Sequence, residues 1–104
     1  MPWFYLFLAG LFEIAWAMGL KYTDGFTKPV ATALTIAALL ASIGLLGLAL
    51  RELPVGAAYA VWTGIGTVGT LIFGIAVLGE PATIMRLGFI GLIITGIVGL
   101  KLTA

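Results

Sequence analysis

The chain contains no cysteine and no histidine among its 104 residues. Without cysteine it can form neither disulfides nor thiolate metal sites, and without histidine it has no imidazole for proton transfer or metal binding. Charge is also scarce, because only 9% of the residues are charged and the formal net charge is +1. No basic run is present, so nucleic acid is not an expected partner. The sequence predicts no metal site and no cofactor.

Hydrophobic residues make up 62% of the chain. This leaves too little polar surface for a soluble domain and indicates a membrane protein. The first residues have one feature of a secretory signal peptide, since Ala15-Trp16-Ala17 has the form of a cleavage site. However, no Lys or Arg precedes this apolar stretch and Glu13 interrupts it, so we expect it to remain in the protein as a helix.

Four segments are long and apolar enough to cross a bilayer, which requires roughly 20 residues per helix. They cover residues 2–20, 29–50, 54–79 and 81–102. Each segment begins at one of the four prolines, a residue suited to the first turn of a helix: Pro2, Pro29, Pro54 and Pro81. Backbone groups in lipid must be hydrogen-bonded within the segment, which requires helices. We therefore predict an all-α integral membrane protein with four transmembrane helices in one domain, residues 1–104.

Glu13 is the one charged residue predicted to lie deep in the membrane, about 10 Å along the helix from the end of its segment. The other charged residues fall in loops or near helix ends, where they can reach water or headgroups: Lys21, Asp24, Lys28, Arg51, Glu52, Glu80, Arg86 and Lys101. Intramembrane carboxylates usually face a bundle interior or a water-filled cavity. With no basic neighbour, Glu13 is either protonated or paired with a bound cation. Alternation between these states would make a proton/cation exchanger, whereas permanent protonation would make Glu13 purely structural.

Aromatic residues favour an organic cation as the ligand. Trp16 lies one helical turn from Glu13, and Tyr59 and Trp62 are three residues apart in the third segment. Aromatic faces attract organic cations, whereas alkali-metal sites require clustered oxygens. The alternative is that these rings pack toward lipid. Ser42 is the deep hydroxyl of the second segment, and it can bond Glu13, a ligand or a carbonyl of its own helix.

Glycines indicate two further features. Gly64 and Gly66 permit a kink in the third helix, although close packing explains them equally well. Small residues at helical spacing in the fourth segment predict contact with a second copy of the chain, against the alternative that glycine is simply common in membrane helices. These small residues are Gly88, Gly91, Thr95, Gly96 and Gly99.

The distribution of basic residues does not fix one orientation in the membrane. Arg51 and Lys101 lie on the side of both termini, whereas Lys21, Lys28 and Arg86 lie on the other. The positive-inside rule needs a larger asymmetry than this. One explanation of this balance is simply a weak orientation signal. The other is insertion in both orientations, which would allow two copies to form an antiparallel pair.

Three stretches resemble the small multidrug resistance family of bacterial transporters, and the similarity extends over the whole chain. They are GLFEIAWAMGLKYTDGF (residues 10–26), LPVGAAYAVWTGIG (residues 53–66) and TGIVGLK (residues 95–101). Trp16, three residues after Glu13, resembles the guanidinium exporters of the family. Exporters of quaternary ammonium drugs usually have a small residue there.

The resemblance implies an antiparallel, dual-topology homodimer in the bacterial inner membrane that exports guanidinium in exchange for protons. It implies that Glu13 binds both proton and substrate, that Gly10 leaves room beside it, and that the fourth helix forms the dimer contact. It further implies a kink at Gly64 and Gly66 and a pocket lined by Trp16, Ser42, Tyr59 and Trp62.

One position departs from the family pattern. Ile43 stands where many members have an aromatic residue, which leaves open how substituted guanidines fit. Two alternatives to guanidinium export also remain: a broader exporter of quaternary ammonium cations, and a membrane scaffold that does not transport. An enzyme is not expected, because the chain has no nucleophile–base pair and no extramembrane site.

Overall fold

Four α-helices account for most of the chain in the computed structural model, which describes residues 2–103. They are α1 (Pro2–Tyr22), α2 (Pro29–Ala49), α3 (Val55–Leu78) and α4 (Ile84–Thr103). Each helix is between 20 and 24 residues long and apolar enough to cross a membrane. This confirms the prediction of an all-α protein with four membrane-spanning helices.

The start of α4 differs from the sequence prediction. The helix begins at Ile84 rather than at Pro81. The hydroxyl of Thr83 accepts a hydrogen bond from the backbone N–H of Arg86 at 3.1 Å, which is the geometry of a helix N-cap. Gly79, with a φ of 72°, ends α3 in the left-handed conformation. The hydroxyl cap therefore determines where α4 begins, and Pro81 lies in the connection.

Helix α1 makes the most extensive contacts of the four helices. It packs along α2 and against α3. Helices α2 and α3 contact each other over a short stretch only, and α4 packs mainly on α3. The buried core lies where α1, α2 and α3 meet, and consists of Leu6, Ala9, Leu46, Ala49, Ala58, Val61 and Trp62. The helix that carries Glu13 is thus held from two sides, by α2 and by α3.

A buried network of hydrogen bonds, the Ser42 network, joins these three helices. The Ser42 hydroxyl donates to the backbone carbonyl of Ala9 on α1 at 2.7 Å. It accepts a hydrogen bond from the indole N–H of Trp62 on α3 at 2.8 Å. Because Ala9 precedes Glu13 by one helical turn, the network fixes the turn that carries the carboxylate.

Glycines allow neighbouring helices to approach α3 and α1 closely. A Cβ atom added at Gly10 would lie 2.8 Å from the Cβ of Ile65, and one added at Gly64 would lie 2.9 Å from Ile97. Gly66 likewise faces the side chain of Glu13. Helix α3 is continuous through Gly64 and Gly66. In this structure these glycines serve close packing, and the kink stays a prediction.

Helix α4 is the least buried of the four. Ile90 is its one buried residue within the described range Ile84–Thr103. A Cβ added at Gly88, Gly91, Gly96 or Gly99 would meet nothing within 4 Å from residues 2–103 beyond its own stretch of helix. Gly91 is half-buried, but Gly88, Thr95, Gly96 and Gly99 are exposed, so most of the predicted contact face is left uncovered by residues 2–103 of the single chain.

We predict that Ser42→Ala lowers the free energy of unfolding by about 1–2 kcal/mol, because the buried N–H of Trp62 loses its acceptor. Thermal unfolding in detergent micelles, followed by tryptophan fluorescence, measures this effect. Adding Trp62→Phe to Ser42→Ala removes the indole N–H that has lost its acceptor. The double variant should therefore lower the free energy of unfolding by less than the sum of the two single effects. Strict additivity would contradict a role for this hydrogen bond.

We predict that Gly10→Ala destabilises the protein by about 1–3 kcal/mol, since the new methyl group overlaps Ile65 near its backbone. Gly47→Ala is the matched control, because a Cβ there meets open space. The control should be neutral or stabilising by about 1 kcal/mol, the gain in helix propensity. Equal effects of the two substitutions in the same unfolding measurement would be inconsistent with the close approach of α1 and α3.

Candidate cation site

An open cavity of about 390 Å³ lies between α1 and α3. Its wall is mostly apolar, with a few polar side chains. The lining residues are Glu13, Trp16, Ala17, Thr63, Gly66, Thr67, Thr70 and Leu71. Glu13 is the one charged residue among them, so the cavity presents a single carboxylate.

The Glu13 side chain is held within the interface of α1 and α3 and is only 9% exposed. Its aliphatic stem packs against Gly66, where any larger residue would displace it. The indole N–H of Trp16 donates a hydrogen bond to Glu13 Oε1 at 2.5 Å. The second carboxylate oxygen is left for another partner. The sequence prediction that Trp16 lies beside Glu13 agrees with this geometry.

The carboxylate has no basic partner among residues 2–103. Arg86 instead lies 3.6 Å from Glu80 in the connection between α3 and α4, and donates a hydrogen bond to the carbonyl of Pro81. The ammonium of Lys101 lies over the ring of Trp3, 5.5 Å from its centroid. A carboxylate buried without a countercharge must bind a proton or a cation.

The wall of the cavity opposite Glu13 contains residues that the sequence analysis missed. Thr63, Thr67 and Thr70, here called the threonine row, all line the cavity from α3. Their spacing of four and three residues places them on one face of a helix. That spacing is visible in the sequence, but only the packing of α3 on α1 reveals that this face is the one turned toward Glu13.

The remaining predicted pocket residues lie outside this cavity in the single chain. Ser42 and Trp62 are buried in the Ser42 network, and Ser42 bonds the carbonyl of Ala9 rather than Glu13. Gly10 is buried against Ile65. Tyr59 is 56% exposed and meets Trp62 edge-on, with ring centroids 5.5 Å apart. Trp16 is thus the predicted aromatic that the structure brings to Glu13.

The site does not have the composition of a metal centre. Residues 2–103 contain no group of three or more acidic side chains that could hold a metal ion. A single carboxylate, an indole and several hydroxyls instead suit one small organic cation, which a carboxylate neutralises and an aromatic side chain flanks.

Comparisons with known proteins agree on one family. The family described as Small Multidrug Resistance protein matches residues 1–93. A protein of Proteus vulgaris named "Guanidinium exporter" is 56% identical over the full length of both chains. Proteins of the same name from Citrobacter freundii and Escherichia coli K12 are 57% and 53% identical, over 99% of this chain and 98% of theirs. The chain is a multi-pass membrane protein that belongs to the Small Multidrug Resistance family.

Proposed function

We propose that this protein exports guanidinium across the bacterial inner membrane in exchange for protons, and that both ligands bind Glu13. The observation that carries the proposal is the buried carboxylate, which faces a cavity beside Trp16 with no basic partner among residues 2–103. Relatives of nearly equal length, 53% to 57% identical, are named guanidinium exporters, which supports the choice of cation.

Guanidinium fits the chemistry of this site. It is planar and carries N–H donors on every nitrogen, so two of its nitrogens can bond a carboxylate side by side. The Trp16 hydrogen bond orients Glu13, and the other carboxylate oxygen has no hydrogen-bond partner among residues 2–103. The indole beside the carboxylate supplies an aromatic surface that favours a delocalised cation. A quaternary ammonium ion would keep the charge attraction but lose the paired hydrogen bonds.

Competition for one residue couples the two ion movements. Guanidinium arriving from the cytoplasm displaces the proton from Glu13, and a proton arriving from outside displaces guanidinium. Because the carboxylate is costly in hydrocarbon without either ligand, the empty ionised site is disfavoured during reorientation. Exchange therefore requires no separate proton pathway.

The functional unit that we propose is an antiparallel homodimer, with a Glu13 from each copy contributing to one site. The cavity of the single chain is open, and the exposed small residues of α4 offer a face on which a second copy can pack closely. The nearly even distribution of basic residues between the two sides permits both orientations.

Within this dimer, the other predicted residues have supporting roles. Ser42 and Trp62 hold the turn before Glu13, and Gly10 allows α1 to approach α3 beside it. Tyr59, which is exposed and meets Trp62 edge-on, adds to the aromatic surface that a second copy can cover. Gly64 and Gly66 provide the bending point of α3 when the two copies exchange conformations.

We predict that Glu13→Gln abolishes proton-driven guanidinium transport, reducing it to the rate of protein-free liposomes. The amide keeps the size of the side chain but cannot alternate between a proton and a cation. Uptake of labelled guanidinium into proteoliposomes under an imposed pH gradient measures the change. Glu52→Gln, in an exposed turn, is the matched control and should transport at the wild-type rate.

Retained coupled transport in Glu13→Gln would overturn the assignment. A parallel assay with tetrapropylammonium tests the broader drug-exporter alternative. Faster transport of tetrapropylammonium than of guanidinium by the wild type would favour that alternative. A wild type that moves neither cation would favour a scaffold.

We predict that Gly96→Leu weakens self-association at least about ten-fold, because a large side chain on the small-residue face of α4 prevents close helix contact. A Cβ added at Gly47 on α2 also meets open space, so Gly47→Leu is the matched control. Energy transfer between labelled chains diluted in micelles measures the dissociation. Equal association of both variants would place the dimer contact elsewhere.

A further inference from the structure

Two members of the threonine row, Thr63 and Thr67, have a hydrogen-bonding pattern that the exchange at Glu13 does not by itself explain. The hydroxyl of Thr63 lies 2.8 Å from the backbone carbonyl of Tyr59, and that of Thr67 lies 2.7 Å from the carbonyl of Thr63. Carbonyl oxygens can only accept, so each hydroxyl must donate its single hydrogen to its own helix. The lone pairs of both oxygens then remain as acceptors at the cavity wall.

This arrangement makes the wall complementary to a ligand that has only donors. Guanidinium has N–H groups on all of its nitrogens and no acceptor. When two nitrogens bond Glu13, the remaining N–H groups still need acceptors, since unpaired donors are costly once the second copy of the proposed dimer covers the open cavity. Among the residues that line the cavity, the side-chain oxygens belong to Glu13 and the threonine row.

The indole of Trp16 cannot meet this need. Its N–H is a donor and is already directed at Glu13 Oε1. The other lining residues, Ala17, Gly66 and Leu71, have no side-chain oxygen. Thr63 precedes Gly66 by three residues and Thr67 follows it by one, so both lie near the point of α3 against which the stem of Glu13 packs. The two hydroxyls therefore lie on the same wall as the carboxylate's contact point.

From this geometry we infer that Thr63 and Thr67 are specificity-determining residues, which accept hydrogen bonds from guanidinium bound at Glu13. They favour cations that carry N–H groups over quaternary ammonium ions. A quaternary ammonium ion has no N–H to donate, so it forms no N–H hydrogen bond with these oxygens and removes water from them at a cost. This inference rests on the proposed function of Glu13.

The test compares variants that differ only in the hydroxyl. Thr63→Val and Thr67→Val keep the branched shape of threonine, whereas Thr63→Ser and Thr67→Ser keep the hydroxyl. Thr103→Val, at the end of α4, is the matched control, because the Thr103 hydroxyl also bonds a carbonyl of its own helix, that of Gly99 at 3.1 Å. Calorimetric titration of each purified protein in micelles with guanidinium and with tetramethylammonium gives the Kd values.

Each valine variant should raise the Kd for guanidinium about ten-fold, the expected effect of losing a hydrogen bond to a charged ligand. The serine variants and Thr103→Val should stay within about two-fold of the wild type. The Kd for tetramethylammonium should not rise in the valine variants. Size-exclusion profiles matching the wild type verify that the variants are folded.

Valine and serine variants with equal guanidinium Kd values would overturn the inference, as would a parallel rise of the Kd for tetramethylammonium. These outcomes leave the proposed function intact when the wild type binds guanidinium and Glu13→Gln does not. A wild type that fails to bind guanidinium would overturn the proposed function and this inference together.

Discussion

An uncompensated carboxylate inside the membrane is the constraint on which the rest of this structure depends. Glu13 is held at the interface of α1 and α3, and no basic side chain of residues 2–103 reaches it. In hydrocarbon such a group is stable only when it binds a proton or a cation. Gly66 packs against the stem of Glu13, and the indole of Trp16 bonds one of its oxygens, so the carboxylate is held in place. The cavity beside it keeps the carboxylate accessible to a ligand.

Packing is distributed among the helices in a way that serves this constraint. Helix α1 is held by both α2 and α3, and the Ser42 network fixes the turn that precedes Glu13. Helix α4 contributes one buried residue in its described range and packs mainly on α3. Helices α1 and α3 therefore line the site, α2 supports α1, and α4 presents most of its surface outward. In the proposed dimer, the fourth helix can associate with another copy without disturbing the carboxylate.

Much of the architecture follows directly from the sequence. The four apolar segments predict the four helices, because backbone groups in lipid allow few other structures. The depth of Glu13 predicts an intramembrane site, and the helical spacing of Trp16 predicts its place beside the carboxylate. These inferences depend on distances along one helix, which the chain order determines.

Features that depend on how helices face each other could not be predicted. The bond from Ser42 to the Ala9 carbonyl requires the register of α2 against α1. The position of the threonine row requires the rotation of α3 about its axis. Tyr59 and Trp62 share a helical face, but the first is exposed and the second is buried. The sequence predicts the start of α4 at Pro81, but the helix begins at Ile84 because the Thr83 hydroxyl caps its first turn.

The hydrogen bond between Trp16 and Glu13 has a consequence for any rearrangement of the helices. Donor and acceptor are three residues apart on the same helix, so tilting or rotating α1 carries both groups as one rigid body. The bond need not break and re-form when the protein changes shape. The Trp16–Glu13 pair thus keeps its geometry while neighbouring helices move relative to α1. If such movement opens the cavity first to one side of the membrane and then to the other, the same pair of side chains would bind the ligand on both sides.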